Sequence, residues 1–483
     1  MKKISVIGGG LAGLTAGIYL LENNYDVCIY EKNHCAGGFL TGWMRKNQLI
    51  DGCIHWMIGT ANDSKINEIW RHIGAIDDNV EIYSPNSFYQ IKYNNDTFTM
   101  YNDFDMLEAE FYKYSNNDDE RIKELMNAIR LVGKFEIPST TAYELNNDTR
   151  QMMNTLRIIA KVRRFTKITL EEYSKEWNSE IIKYALLHGL VNKHFNVFYF
   201  ITTLSNFCLK NADIPIGGSK AIADRIVERF KFLGGKIEYN CSVDEIIFND
   251  GHAEAIRVND RIITSDYVVA ACDVHYTMNK LLKLDLKPYQ EYDSKKSDFK
   301  TYSFVMASYK IKKDVSDTEV ATIVKVEPYM LIDQELDYVS IRQYAYDKTM
   351  INSGYRTIEV FIETYEDTYE YLKCLSNDEY KALKNKIGLY YLDFLKKYYE
   401  CNDIELLDVS TPLTYERYMN SYKGTFMPYA LGTKAPQVMR SNLIDELDNV
   451  VLANQWVMMP GGTCVAITMG KFAAQLIIHK DNK

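Results

Sequence analysis

The sequence lacks the features that mark a membrane-spanning, secreted or metal-binding chain. No apolar run in its 483 residues approaches the roughly 20 needed to cross a bilayer. Its nine cysteines are scattered, with no CxxC pair and no zinc-like spacing, and read as reduced thiols. His34, His72, His188, His194, His252, His275 and His479 share no spacing, so no metal site is predicted. The first residues run straight into a strand pattern, leaving no room for a signal peptide. The expectation is a cytoplasmic protein, soluble or at most peripheral to a membrane. Excess basic charge is missing too: a net charge of −9 argues against a nucleic-acid partner. What remains is an ordinary globular composition, 47% hydrophobic and 25% charged, in a chain long enough for two domains.

The chain is organised around Met1 to Lys32. The short apolar strand Ile4-Ser5-Val6-Ile7 runs into Gly8-Gly9-Gly10-Leu11-Ala12-Gly13, followed by an apolar helical pattern. A second strand spans Tyr25 to Tyr30 and ends at Glu31. Gly8 permits a tight turn, Gly10 lets backbone approach a pyrophosphate, and Gly13 lets helix and strand pack closely. The pyrophosphate would rest on the helix N-terminus, and Glu31 is placed for a ribose hydroxyl. Strand, helix, Gly17 and terminal acid agree on a dinucleotide site, against a bland glycine-rich turn.

Gly37-Gly38, followed by Phe39, forms a second turn soon after Glu31-Lys32. A domain binding only NAD has no need of it, whereas a chain that follows the pyrophosphate towards a flavin does. The pattern favours FAD over NAD, with a plain glycine-pair loop as the alternative. Downstream, Asp51-Gly52-Cys53-Ile54-His55-Trp56 offers one histidine. His55 is either a proton donor near a redox centre or a satisfied imidazole in a packed site.

From about Ser84 to Asn211 the composition shifts. Strand-like runs at Tyr89–Lys92 and Phe98–Tyr101 precede helical patterns over Phe104–Tyr114, Arg121–Phe135 and Leu145–Val162. The stretch 156–168, LRIIAKVRRFTKI, mixes Arg157, Lys161, Arg163, Arg164 and Lys167 with Leu156, Ile158, Ile159, Val162 and Phe165. It is a helix with a solvated face, or a peripheral contact with an anionic membrane. FNVFYFITTLSNF, Phe195 to Phe207, fills a core or walls an apolar cavity.

At Ile214 the α/β pattern returns, with a helix from Ala221 to Leu233 and strands Lys236–Tyr239, Val243–Phe248, Ala253–Val258, Arg261–Thr264 and Tyr267–Ala271. Val243 opens the strand that would reach the adenine end. A second excursion shows strands at Tyr302–Ile311, Tyr338–Ile341 and Thr357–Glu363, and a helix at Asp378–Tyr399. The tail has a strand ending in Asn454-Gln455-Trp456, a turn at Pro460-Gly461-Gly462-Thr463 and a helix over Val465–Ile478. That arrangement makes a second anion or flavin-ring site, or a docking helix alone. The expected architecture is an α/β Rossmann-like FAD-binding domain of the two-dinucleotide-fold type with a discontinuous α+β substrate domain. The FAD-binding parts are 1–83, 211–285 and 436–483; the substrate parts are 84–210 and 286–435.

These residues resemble the phytoene desaturase and carotenoid isomerase group of FAD-dependent oxidoreductases, within the amine-oxidase-like flavoproteins. Val6–Glu31, Gly37–His55, Pro215–Leu284 and Val451–Ile478 carry the likeness, with TPLTYERY before Gly424. The resemblance covers the cofactor domain well and the substrate domain loosely. It implies that Gly8, Gly10, Leu11, Ala12 and Gly13 bind the pyrophosphate and Glu31 and Lys32 the adenosine end. Gly38 would follow the pyrophosphate and Val243 would touch the adenine side, with Gly37, Phe39 and Ala271 also among the cofactor-binding residues. Asn454, Gln455, Gly462, Thr463 and Ala466 would lie along the ribityl chain and ring edge. His55, at the Gly-x-x-His position, would face the flavin as the catalytic candidate. Many relatives have Gly-Asp or Gly-Gln at Asn454-Gln455, and Gly-Gly-Gly at Gly461-Gly462-Thr463.

The expected activity is FAD chemistry on carbon–carbon double bonds of an apolar, lipid-like or polyene molecule: desaturation, saturation or cis–trans isomerisation. An amine-oxidase-like reading would use Trp56 and Trp456 as an aromatic cage for an amine. A non-catalytic lipid carrier on the same fold is the third reading.

Overall fold

The structure is a computed structural model that describes residues 1–133, 149–284, 300–315, 319–430, 432, 441–458 and 460–482. β1 (Lys3–Ile7) is buried along nearly its whole length, as a central strand covered on both faces should be. It passes through the glycine loop into α1 (Leu11–Glu22), then into β2 (Asp26–Glu31), which pairs parallel to β1 with Ile4 opposite Val27. Among the described residues six strands make this sheet, in the order Leu443–Ile444, Leu447–Leu452, Tyr267–Ala270, β1, β2, Lys236–Tyr239. All neighbours are parallel except the Leu443–Ile444 edge. The C-terminal helix, Thr463–Asp481, packs on α1 so closely that a Cβ on Gly470 would lie 2.4 Å from the Ala12 carbonyl oxygen. Strands Val243–Asn249, His252–Val258 and Arg261–Thr264 form a separate antiparallel sheet beside it.

A second, larger sheet runs Ile404–Ser410, Lys300–Lys312, Tyr355–Tyr365, Gln334–Gln343, Ala321–Leu331, Ser87–Tyr93, Asp96–Tyr101. Only the Ala321–Leu331 and Ser87–Tyr93 pair along this path is parallel. Helices from the stretch after Asp96–Tyr101 pack against one end of it around Phe98, Phe111, Trp177 and Phe200. On its other flank lies Asn377–Tyr398, started by a reciprocal cap in which Ser376 and Glu379 bond each other's backbone N–H. The fold is thus a Rossmann-like α/β unit joined to an α+β unit, with the chain crossing between them repeatedly. The boundaries expected at 285/286 and 435/436, Phe135 and the start of the helix expected from Leu145 lie outside the described residues.

The basic stretch is not one continuous helix. Thr149–Lys161 is α-helical, and Arg163–Thr166 tightens into a 3₁₀ turn. There Arg164 pairs with Glu124 and Glu176 while Phe165 and Val162 enter the core. Among the described residues no helix is long and apolar enough to cross a membrane. All nine cysteines are free thiols.

Candidate active site

The glycine loop after β1 and the glycine turn after β2 meet backbone to backbone. Gly37 N–H donates to the Gly9 carbonyl at 2.8 Å. Gly38, at φ +61°, stands so close that a Cβ on it would lie 3.1 Å from Gly10 Cα. α1 begins immediately after Gly10 with no side-chain cap and no acid in its first turn. Its first N–H groups therefore point, unpartnered by helix carbonyls, at the space beside the loop. Glu31 is 4% exposed and fixed on three sides. Its Oε2 accepts from Gly9 N–H at 2.8 Å, and its Oε1 accepts from the Asn33 backbone and side chain at 2.8 and 2.9 Å. A carboxylate offers about four acceptor positions, so one stays open for a ribose hydroxyl.

The tail supplies a second uncapped helix N-terminus to the same space. Gly462, at φ +93°, precedes the helix Thr463–Asp481, whose first turn also carries no acid. Gln455 Oε1 accepts the Gly462 N–H at 2.9 Å and its Nε2 donates to the Phe426 carbonyl at 3.3 Å. Next to it, Asn454 Oδ1 accepts from Trp456 N–H at 3.0 Å. Asn454 Nδ2 is buried and meets no acceptor among the described residues. A buried donor left unmatched costs roughly 1–3 kcal/mol, which a carbonyl or hydroxyl of a bound group would recover.

These parts open into one cavity of about 780 Å³ that continues onto the large sheet. Its sheet wall is one pleat face: Tyr302 and Phe304, Phe361 and Glu363, Tyr338 and Arg342, then Tyr89 on the next strands. The opposite wall is the helix Val197–Cys208, through Phe198, Tyr199 and Thr202, with Leu187 and His188 at the end of the helix Glu180–His188 and the loop 189–192 that follows. The FNVFYF stretch therefore serves both roles, core on one side and cavity wall on the other.

His55 stands where the two halves of the cavity join. Its ring meets Phe361 edge-on at 4.8 Å, and its carbonyl accepts from Arg342 Nη2 at 2.9 Å. Burial, with the Arg342 charge adding to it, pushes the imidazole well below its ordinary value and keeps the ring neutral. Arg342 is countered by the buried Asp51, whose carboxylate accepts from Cys53, Ile54 and Ser219 N–H and from Ser219 Oγ.

Gly8, Gly10, Leu11, Ala12, Glu31, Lys32, Gly37, Gly38, Phe39, His55, Val243, Ala271, Asn454, Gln455, Gly462, Thr463 and Ala466 all line the cavity. Gly13 does not. It lies behind the loop, where a Cβ would strike the Gly8 carbonyl at 2.2 Å and Ala271 Cβ at 2.9 Å, so its part is packing. Lys32 turns away from the loop to donate to Asn420 Oδ1 at 2.6 Å and the Arg417 carbonyl at 2.9 Å, and the Gln455 amide holds its own turn. Sequence reasoning did not single out Tyr302, Phe304, Tyr338, Arg342, Phe361 or Glu363. The available signal was a charged residue on the inward pleat of an apolar strand, as in Ile341-Arg342 and Ile362-Glu363.

The residues fit FAD: two glycine turns pressed together, two uncapped helix starts, a fixed acid and an orphaned amide. Comparison with known proteins agrees. The profile of the family described as flavin containing amine oxidoreductase matches residues 11–319. The chain is 23% identical over 448 residues to prolycopene isomerase 1, chloroplastic, of an Oncidium hybrid cultivar, covering 88% of this chain and 74% of that one. It is 26% identical over 301 residues to the neurosporene-forming phytoene desaturase of Rhodobacter capsulatus, covering 59% and 55%. Its fold matches the crystal structure of an oxidoreductase from Methanosarcina mazei at a TM-score of 0.61 and 15% identity, over 99% and 100% of the two chains.

Proposed function

The chain belongs to the flavin containing amine oxidoreductase family, and we propose that it is an FAD-dependent enzyme acting on carbon–carbon double bonds of an apolar, polyene-like substrate. Desaturation, saturation and cis–trans isomerisation all fall within this reading. The observation that carries it is the continuity of the cofactor cradle with an aromatic-walled cavity between the large sheet and the helix Val197–Cys208. The similarity to a prolycopene isomerase and a phytoene desaturase supports it.

Leu11, Ala12 and Gly38 would hold the pyrophosphate through backbone N–H groups, Glu31 the ribose and Val243 the adenine side. Asn454 and the start of the C-terminal helix would meet the flavin end. Bound there, FAD supplies hydride acceptance and donation. The chain's own residues position the substrate and exclude water. Phe304, Phe361 and Phe198 offer flat apolar faces to a polyene, and the neutral His55 fixes the Phe361 edge without bringing a charge to an apolar molecule. For the amine reading, Trp56 and Trp456 both line the cavity, Trp56 edge-on against Phe207 and Trp456 edge-on against His275.

The reading extends to a peripheral membrane contact through 156–168, where an apolar substrate would be found. Leu156 is 57% exposed beside the exposed Arg157 and Lys161. The enzymatic claim is tested by incubating the FAD-loaded protein with conjugated polyenes and separating the products. A product with a changed double-bond count or geometry is expected. Turnover of amines with polyenes left intact would overturn it.

A further inference from the structure

The sheet wall of the cavity carries an acid that the chemistry above does not use. Glu363 occupies the inward pleat of Tyr355–Tyr365, two residues beyond Phe361 and directly across from Phe304. Its Oε2 accepts from Asn192 Nδ2 at 2.9 Å. Gln334 Nε2 donates to the Glu363 backbone carbonyl at 2.7 Å, and no other hydrogen bond to the carboxyl occurs among the described residues. Asn192 is itself fixed: Nδ2 also donates to Tyr365 Oη at 3.0 Å, and Oδ1 accepts from His194 N–H at 2.9 Å. Around this pair the cavity surface is Phe195, Tyr199, Tyr302 and Tyr338. The Tyr302 hydroxyl donates to Met427 Sδ at 3.1 Å. The carboxyl thus faces the cavity with acceptor capacity unmet, in surroundings where an unmatched polar group is costly.

A pure hydrocarbon would leave that cost in place. We propose that Glu363, held by Asn192, binds a terminal hydroxyl of the otherwise apolar substrate, making the substrate class a polyene-like alcohol. This rests on the reading of an apolar double-bond substrate and narrows it. Two observations favour a hydroxyl over an ammonium. Arg342 already places a buried cation on the same sheet wall, and Lys193 lies near enough to Glu363 to favour its charged form. The Lys193 charge opposes a second cation beside the acid. Burial raises the Glu363 carboxyl to about 7, so near neutrality it is available in a form that both donates and accepts, matching a hydroxyl's own donor and acceptor.

The test uses three probes that share one conjugated tetraene chain and end in a methyl, a primary hydroxyl or a primary amine. Binding to the FAD-loaded protein is read from the perturbation of the flavin spectrum, for wild type, Glu363→Gln and Glu363→Leu. The hydroxyl probe is expected to bind wild type at least tenfold more tightly than the methyl probe. Glu363→Leu should abolish that preference, and Glu363→Gln should retain part of it. A merely structural role for Glu363 would lower thermal stability and weaken all probes alike, which overturns the proposal. Equal binding of methyl and hydroxyl probes to wild type overturns it while leaving the double-bond reading intact. Preference for the amine probe overturns the hydroxyl assignment, and binding of none of the three overturns the broader reading with it.

Discussion

Gly38 lies against Gly10 so that a Cβ on Gly38 would stand 3.1 Å from Gly10 Cα, yet a Cβ on Gly10 itself would meet only Gly38 Cα, at 3.9 Å. The two glycines therefore fail differently. Gly38→Ala forces an L-residue to φ +61° and into backbone, costing roughly 1–2 kcal/mol of fold stability before any contact term. Gly10→Ala leaves the apoprotein's melting temperature nearly unchanged, because its methyl projects into the cradle, and lowers FAD occupancy. Thermal melts and flavin absorbance of the purified variants separate the two effects.

Glu31→Ala removes the acceptor of Gly9 N–H and of both Asn33 donors, loosening the loop as well as the ribose contact. A hydrogen bond to a charged group contributes about 1.5–3 kcal/mol. FAD affinity should fall about tenfold to a hundredfold. Titration of the apoprotein with FAD measures it; an unchanged affinity would remove Glu31 from the ribose site.

Two acids, Glu359 in the core and Glu363 half-buried on the cavity wall, make stability depend on pH. Burial raises Glu359 to about 8, against the Tyr344 hydroxyl bond that lowers it, and raises Glu363 to about 7. In each case the folded form keeps a proton that the unfolded chain has released, so stability falls as pH rises from the ordinary glutamate value of 4.5 towards 8. Below 4.5 both states are protonated and the slope vanishes. Melting temperature against pH should flatten in Glu359→Gln.

The proposed membrane contact through 156–168 predicts co-sedimentation with anionic liposomes that salt weakens, since exposed charges are screened within about 8 Å at physiological ionic strength. Arg157→Glu together with Lys161→Glu should abolish it. Arg164, already paired with Glu124 and Glu176, should matter more to stability than to binding. No sedimentation at low salt would contradict the contact.

The first βαβ unit was legible because local features carry it: a buried apolar strand, glycines where backbone must touch backbone, and an acid at a strand end. Strands of the large sheet at Tyr302–Ile311, Tyr338–Ile341 and Thr357–Glu363 were legible too, but two elements whose signal depends on tertiary pairing were not. The strand Ala321–Leu331 contains Pro328 where its pairing with Gln334–Gln343 shifts register between Lys325 and Tyr329, which interrupts its alternation. The hairpin Gly42–Arg45 to Gln48–Asp51 turns through Lys46 and Asn47, both at positive φ, without the glycine that usually signals such a turn. In the site, Glu31 and Gly38 announce themselves within forty residues of the start. Glu363 and Asn192 come together only through folding, 171 residues apart. The cofactor cradle and the Phe195–Phe207 wall were therefore readable as sequence, and the sheet wall with Arg342 and Glu363 was not.

The most direct test of the central claim is the anaerobic absorbance of the FAD-loaded protein on adding conjugated polyenes. Bleaching of the oxidised flavin, or recovery of its colour when a polyene is added to the reduced protein, is the expected result. An isomerised polyene with the flavin spectrum restored at the end equally fits. A flavin that bleaches with primary amines, while no polyene changes or is changed in either redox state, would contradict the account.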